Sequence, residues 1–243
     1  MKTQSRAVYG ASVGVLVLET RFPRIPGDAG NAATWPFPVL FKVLPGATPA
    51  AVVRDLAGRA DLLEAFVEGA RELETQGVRV ITTTAGFFAL HQREVQARLS
   101  STVLTSGLLQ VPWLASLLPA GRRVGILTME ARSLSEGHLR ACGIGPEVPI
   151  AIQGLEEIGG YSNSVFVGNS AELDPVRVEA EHVEGARKLC AEHPEVAAIV
   201  LQSNAMPPYA RAVAVATDRP VYDLVTLVEW VFAGLVRRPF AGG

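Results

Sequence analysis

Two short runs in this chain carry the residue types that a small anion needs. The first is Thr82-Thr83-Thr84-Ala85-Gly86-Phe87, which follows the apolar stretch 78–81. Three hydroxyls stand at what reads as a strand end. The backbone N–H groups of Ala85 and Gly86 open the next helix, where the helix dipole favours a carboxylate, and Gly86 lets the backbone approach closely. The second run is Gln202-Ser203-Asn204-Ala205-Met206-Pro207-Pro208, after the apolar stretch 197–201. Ser203 and Asn204 repeat the small-polar character of the first. Thr105 and Ser106 open another helix in the same way, either to hold a second carboxylate or simply as caps. Glu19-Thr20-Arg21 follows the first strand, and Arg21 or Arg24 is suited to pair bidentately with a carboxylate, or else to lie solvated on the surface.

The elements that must position these runs look like two copies of one unit. Gly69-Ala70-Arg71 leads through a helix-like stretch into the first run, and Gly185-Ala186-Arg187 leads through a similar one into the second. Internal repetition of this kind implies two similar lobes, and ligands of open α/β sheets sit outside the carboxyl ends of strands. The apolar periodicity predicts strands at 13–18, 38–44, 78–81, near 103, 122–128, 150–152, 196–201 and 220–222. Helices are predicted over 61–76, 87–98, 105–118, 133–141, 175–192 (with Asp174 as N-cap), 208–216 and 224–236. The fold class is α/β: two pseudo-symmetric Rossmann-like lobes with parallel sheets and an active-site cleft between them. Residues 1–120 form the first lobe, joined by a closing helix over 224–237, and residues 121–223 form the second. The Pro-, Gly- and Asn-rich loop 21–36 is long enough to be functional or mobile. Within it Asp28 and Asn31 shape the pocket or make turns. Residues 159–164 read as a flexible polar loop, with Tyr161 a candidate lid.

Both runs also resemble signatures of the aspartate/glutamate racemase superfamily. Thr82-Thr83-Thr84-Ala85-Gly86-Phe87 is similar to the first signature, where a cysteine normally stands at the position of Ala85. Leu201-Gln202-Ser203-Asn204-Ala205-Met206-Pro207-Pro208-Tyr209 is similar to the second, with a cysteine normally at Ser203. The likeness extends to the run from Leu18 to Asp28 and to Val124-Gly125-Ile126-Leu127-Thr128. It implies cofactor-independent, PLP-independent isomerase chemistry on an amino acid or other small carboxylate, in a chain that forms homodimers. In that chemistry one thiolate takes the α-proton and a thiol on the opposite face returns it, a task suited to a group with pKa about 8.5. Ala85 has no proton to transfer, and the Ser203 hydroxyl ionises far above neutrality. Gln202, Asn204 and Ala205 depart as well from the Glu, Thr and Asn expected around the second cysteine. Natural divergence and deliberate replacement both account for Ala85; divergence accounts better for the second run. Relatives with a single thiol include decarboxylases and isomerases. The resemblance thus leaves three readings: a racemase-type protein stripped of its acid/base pair, a non-catalytic binder of small acids, or a lyase, decarboxylase or hydrolase with recruited residues. It assigns catalytic positions to Ala85 and Ser203 and substrate contacts to Thr83, Thr84, Gly86, Asn204, Arg21, Thr105, Ser106 and Glu19.

Composition narrows the partners. Of 243 residues, 49% are hydrophobic and 19% charged, and the formal net charge is −2. That fits a compact globular chain and gives no basic patch for nucleic acid or membrane surfaces. No apolar run is long and uninterrupted enough to span a bilayer, and Met1-Lys2-Thr3-Gln4-Ser5-Arg6 lacks the apolar core of a signal peptide, so a cytoplasmic location is expected. Cys142 and Cys190 read as buried structural thiols, and the four histidines, 91, 138, 182 and 193, as surface or core residues. No metal-type spacing, phosphate loop or cofactor lysine motif is present in the sequence.

Overall fold

The computed structural model describes residues 9–237; the expectation for Met1 to Arg6 lies outside them. Among the described residues eight strands form two four-stranded sheets, and every pairing is parallel. The first holds β1 (Val13–Leu18), β2 (Val39–Leu44), β3 (Val80–Thr83) and β4 (Thr102–Leu104) in the order β2-β1-β3-β4. The second holds β5 (Arg123–Thr128), β6 (Ile150–Gly154), β7 (Val196–Leu201) and β8 (Val221–Tyr222) in the order β6-β5-β7-β8. The two orders are the same when β5 is laid on β1, which is the repetition seen in sequence. The central strands read as unbroken apolar runs because a parallel sheet is buried on both faces.

The glycines that mark the repeat are contact points. Helix α2 (Ala60–Thr75) packs on the first sheet and α7 (Pro175–Glu192) on the second. A Cβ at Gly69 would lie 2.9 Å from Leu44 Cδ2, and one at Gly185 2.7 Å from Leu155 Cδ2. On the strands beneath, a Cβ at Gly14 would meet Leu73 and one at Gly125 would meet Leu189, each at 2.8 Å. Each lobe thus seats its helix with the same two notches.

The remaining helices are α1 (Pro49–Arg54), α3 (Gln92–Arg98), α4 (Val111–Leu117), α5 (Glu136–Ala141), α6 (Tyr161–Phe166), α8 (Ala210–Thr217) and α9 (Leu224–Leu235). Helix α9 sends Leu224, Leu227 and Val228 into the cluster formed by Val13, Val15, Val80 and Leu104 of the first sheet. Asp174 caps α7 as expected, its Oδ1 accepting from the N–H of Val176 and of Arg177.

Three local expectations are corrected. Strand β3 begins two residues late and takes in Thr82 and Thr83, because their side chains are fully buried and bonded inside the lobe. The following helix opens as a 3₁₀ segment, Gly86–His91, before α3. This tighter turn buries both phenylalanines: Phe88 stacks on Phe66 at 4.3 Å and Phe87 meets the His138 ring edge-on at 5.6 Å. The third correction concerns residues 159–164, where the expected loop holds the start of α6. Glu181 of α7 caps that start by accepting from the N–H of Tyr161 (3.0 Å) and of Ser162 (2.7 Å). Tyr161 is no lid: its hydroxyl accepts from the Asp174 N–H at 2.9 Å and Arg177 lies 4.1 Å over its ring.

The cap of α9 carries a pH dependence. Asp223 is buried and its Oδ1 accepts from the Thr226 N–H at 3.0 Å. Burial pushes its carboxyl up to about 6, against the pull of the Thr226 and Val225 amides. A carboxyl raised in the folded state binds its proton more tightly there, so its contribution to stability is present at low pH and is lost as pH rises from about 4 to 6. Asp223→Asn keeps an N-cap oxygen without the ionisation. It is expected to stabilise the protein by about 1–3 kcal/mol at pH 7 and by little at pH 4, as read from urea unfolding at the two pH values. An equal gain at both would sink the assignment.

Candidate functional site

The two small-polar turns meet at the carboxyl ends of β1, β3 and β7. Gly86 lies against the second lobe's backbone: a Cβ there would stand 2.3 Å from the Gln202 carbonyl oxygen and 3.1 Å from Ser203 Cα. Gly86→Ala must therefore push the two turns apart. An overpacking cost of about 1–3 kcal/mol is expected, with loss of any ligand affinity of the cleft, measurable by chemical denaturation; a neutral substitution would show that the turns are not in contact.

Beside this contact opens a narrow cleft between the lobes. Thr84, Ala85 and Gly86 line it from the first turn, Ser203 and Ala205 from the second, and Arg24 from the loop after β1. Apart from Thr20 its other walls are apolar, with Phe22, Val52 and Val53 facing Met129, Phe166 and Val167.

The polar end of the cleft is built around Thr84. Its Oγ1 accepts from the Leu18 N–H at 2.9 Å and from Arg24 Nη2 at 3.2 Å. With both acceptor sites occupied, the hydroxyl's own proton is left to be donated. Arg24 is fixed by Asp28, whose Oδ1 takes Nη1 at 2.7 Å, and its guanidinium carbon lies 5.0 Å from the Phe22 ring centre. Burial lifts the Asp28 carboxyl above its ordinary value, while Arg24 and the Gly30 N–H pull it down. The loop that carries this pair is tightly bonded: Asn31 Nδ2 donates to the Arg24 carbonyl at 2.7 Å, Thr34 Oγ1 to that of Asp28 at 2.7 Å, and the Ala29 N–H to that of Asn204 across the lobes at 3.2 Å.

Helix α1, which sequence reading missed, supplies Val52 and Val53. Thr48-Pro49, a capping type followed by proline at the first helical position, is the trace it leaves in the sequence. It is tied to the second lobe by Arg54, whose Nη2 stands 3.0 Å from Glu130 Oε1. Burial alone would raise the Glu130 carboxyl, but hydrogen bonds from Arg54, Ser133 and Arg132 outweigh it and hold the group at about 2. This tie survives to strongly acid pH, weakening only as pH falls from about 4.5 toward 2.

The other residues singled out in the sequence lie elsewhere. Thr83 Oγ1 accepts from the Ala85 N–H at 3.2 Å and shapes the turn from behind. Asn204 Nδ2 bridges the carbonyls of Thr83 (2.7 Å) and Thr105 (3.0 Å), stitching the lobes together beneath the cleft. Thr105 Oγ1 donates to Gln92 Oε1 at 2.7 Å, and Ser106 Oγ to the Gln202 carbonyl at 3.2 Å. Glu19 accepts from the Gly46 N–H at 2.9 Å, and Arg21 is exposed, its N–H donating to Asn169 Oδ1 at 2.7 Å. None of these six lines the cleft. Thr20, Phe22 and Phe166 do, and sequence reading passed over all three.

Titratable groups that could move a proton are elsewhere too. Burial pushes His138 and His182 down to about 4 and Cys142 up to about 12, so each is neutral at pH 7 and none lines the cleft. Among the described residues no cluster of His, Cys, Asp and Glu is placed to hold a metal ion, and no helix is long and apolar enough to cross a membrane.

Comparison with known proteins gives two kinds of likeness. No family model matches this sequence. The chain is 28% identical over 237 residues to a dimethylsulfoniopropionate lyase of Durusdinium sp. clade D, covering 96% of this chain and 77% of that protein. It is 28% identical over 239 residues to dimethylsulfoniopropionate lyase 3 of Emiliania huxleyi, where it spans 61% of the longer relative. Among solved structures, a Gly74Cys mutant of arylmalonate decarboxylase superposes with TM-score 0.59 at 17% identity, over 95% of this chain and 96% of that one. Glutamate racemase of Francisella tularensis gives 0.57 at 15%, over 93% and 81%. Allantoin racemase of Pseudomonas fluorescens gives 0.57 at 15%, over 93% and 91%. With its two like-ordered parallel sheets and a cleft between their turns, the chain has the fold of the aspartate/glutamate racemase superfamily.

Proposed function

We propose that the cleft binds a small carboxylate and does so without the two-thiol proton transfer of racemases. The observation that carries this is Thr84, whose hydroxyl has both acceptor sites filled and so faces the cleft as a donor, next to the Arg24 guanidinium. Arg24 gives one N–H to Asp28 and one to Thr84, and a guanidinium carries five, so a hydroxyl donor beside it suits an anion. The Gly86 N–H belongs to the same turn, the Ala85 N–H being held by Thr83 Oγ1. The positions of the missing thiols, 85 and 203, line the cleft but offer a methyl and a hydroxyl. Neither can take a proton from carbon near neutral pH. The protein in this reading keeps the anion-holding half of an isomerase site and lacks the acid/base half.

Thermal unfolding across a panel of small carboxylic acids tests the reading. At least one acid should stabilise the wild type, by about 2.7 kcal/mol at a hundredfold excess over its Kd, and Thr84→Val should lose most of that gain. If no acid stabilises the protein, the reading fails.

A second reading is favoured by the sequence likeness to dimethylsulfoniopropionate lyases over 95–96% of the chain. Elimination from that substrate would remove the proton α to the carboxylate and break the carbon–sulfur bond, releasing acrylate and dimethyl sulfide. It requires a base facing the α-carbon, and among the described residues lining the cleft there is none. Dimethyl sulfide released by the purified chain would favour this second reading over the first.

A further inference from the structure

We infer that the ligand is a monocarboxylate with an uncharged apolar body, not an α-amino acid or a dicarboxylate. The inference rests on the proposed carboxylate binding and concerns what the rest of the ligand is. Arg24 is the only charged side chain among the described residues that line the cleft. A ligand ammonium group would have to leave water for a wall with no carboxylate free to receive it. Asp28, the acid closest in the loop, lies behind Arg24 and is already held by its Nη1 and by the Gly30 N–H, each at 2.7 Å. An unpaired cation in such a place is costly. A second carboxylate meets the same difficulty in reverse. Arg54, next to the lining residue Val53, is committed to Glu130 at 3.0 Å.

The apolar walls say what the body is. Phe22 from the first lobe and Phe166 from the second meet edge to face with ring centres 5.1 Å apart, closing the cleft across the lobe boundary. Val52, Val53 and Met129 complete that surface. Carbon that packs against these residues gains burial, about fourfold in affinity per methylene, whereas added charge gains no partner.

Calorimetric titration of the wild-type protein at pH 7 tests this with acetate, 3-methylbutanoate, phenylacetate, malonate, and both enantiomers of aspartate and glutamate. The two apolar-bodied acids should bind at least about tenfold more tightly than acetate, malonate or either amino acid. Phe166→Leu should narrow the gap between phenylacetate and acetate. Tighter binding of an amino acid or of malonate overturns the ligand class but leaves carboxylate binding standing. Binding of none of these acids overturns both.

Discussion

Arg24→Met is expected to remove stabilisation by small acids and to lower the protein's own stability by about 3–5 kcal/mol, the usual cost of breaking a buried pair from one side. The Asp28 side chain is 3% exposed and that of Arg24 11%. Without the guanidinium, the Asp28 carboxylate keeps only the Gly30 N–H as a charge-stabilising donor. Its carboxyl, already lifted by burial, rises further once Arg24 no longer pulls it down. The sign follows from linkage: the folded variant binds that proton more tightly than the unfolded chain does. The defect should therefore be smallest at acid pH and grow as pH rises above about 4. Adding Asp28→Asn removes the stranded charge and should restore most of the lost stability. It should not restore ligand binding, because the cation at the anion end is still missing. Urea unfolding and titration of the single and double variants separate the two roles. Acid binding by the double variant would show that Arg24 supports the loop and does not hold the ligand.

The division of Arg24 from Arg21 shows where sequence reading stops. Both follow β1 and both suit a carboxylate by type. What distinguishes them is Asp28, four residues beyond Arg24, and Thr84, sixty residues away. The first partner leaves a trace in sequence and the second leaves none. The same holds across the site. Strands β1, β5 and β7 were legible because doubly buried parallel strands are continuous apolar runs, and the repeated glycine notches betrayed the duplication. The turns after β3 and β7 were legible as the meeting place. Which threonine lines the cleft was not, since the register of β3 decides it: Thr82 Oγ1 is spent on the Leu104 carbonyl at 2.7 Å and Thr83 on the turn itself. Helix α6 was missed for a similar reason. Its N-terminal amides are satisfied by Glu181, twenty residues further along the chain, so the local polar, glycine-rich sequence looks like a loop. Thr105, Ser106 and Asn204 have the composition of a binding turn but serve as polar mortar between the lobes.

Placing thiols at both turns, Ala85→Cys with Ser203→Cys, is expected to raise α-proton exchange above that of the wild-type chain. Both positions line the cleft, and Ala85 sits at φ −119° with its N–H bonded to Thr83, a backbone any side chain can adopt. A thiol there lies at the end that holds Arg24, and a nearby cation favours the thiolate. The rate should therefore rise with pH below the ordinary thiol value of about 8.5. A well-placed general base accelerates proton transfer by about 10²–10⁴-fold, so exchange followed by NMR in D₂O should exceed the wild-type background by that order. The probe is 2-phenylpropionate, whose aryl group both acidifies the α-proton and suits the apolar walls, with aspartate and glutamate alongside. Either single variant supplies a thiol on one side only and should not interconvert enantiomers. Racemisation confined to the double variant would mean that the two turns still present opposite faces of the α-carbon, and that the chain lost its chemistry at these positions and kept its geometry. Failure of the double variant to exchange an acid that still binds it would mean that the ligand now lies with its α-carbon away from both turns, so that the divergence reached the pose and not only the thiols.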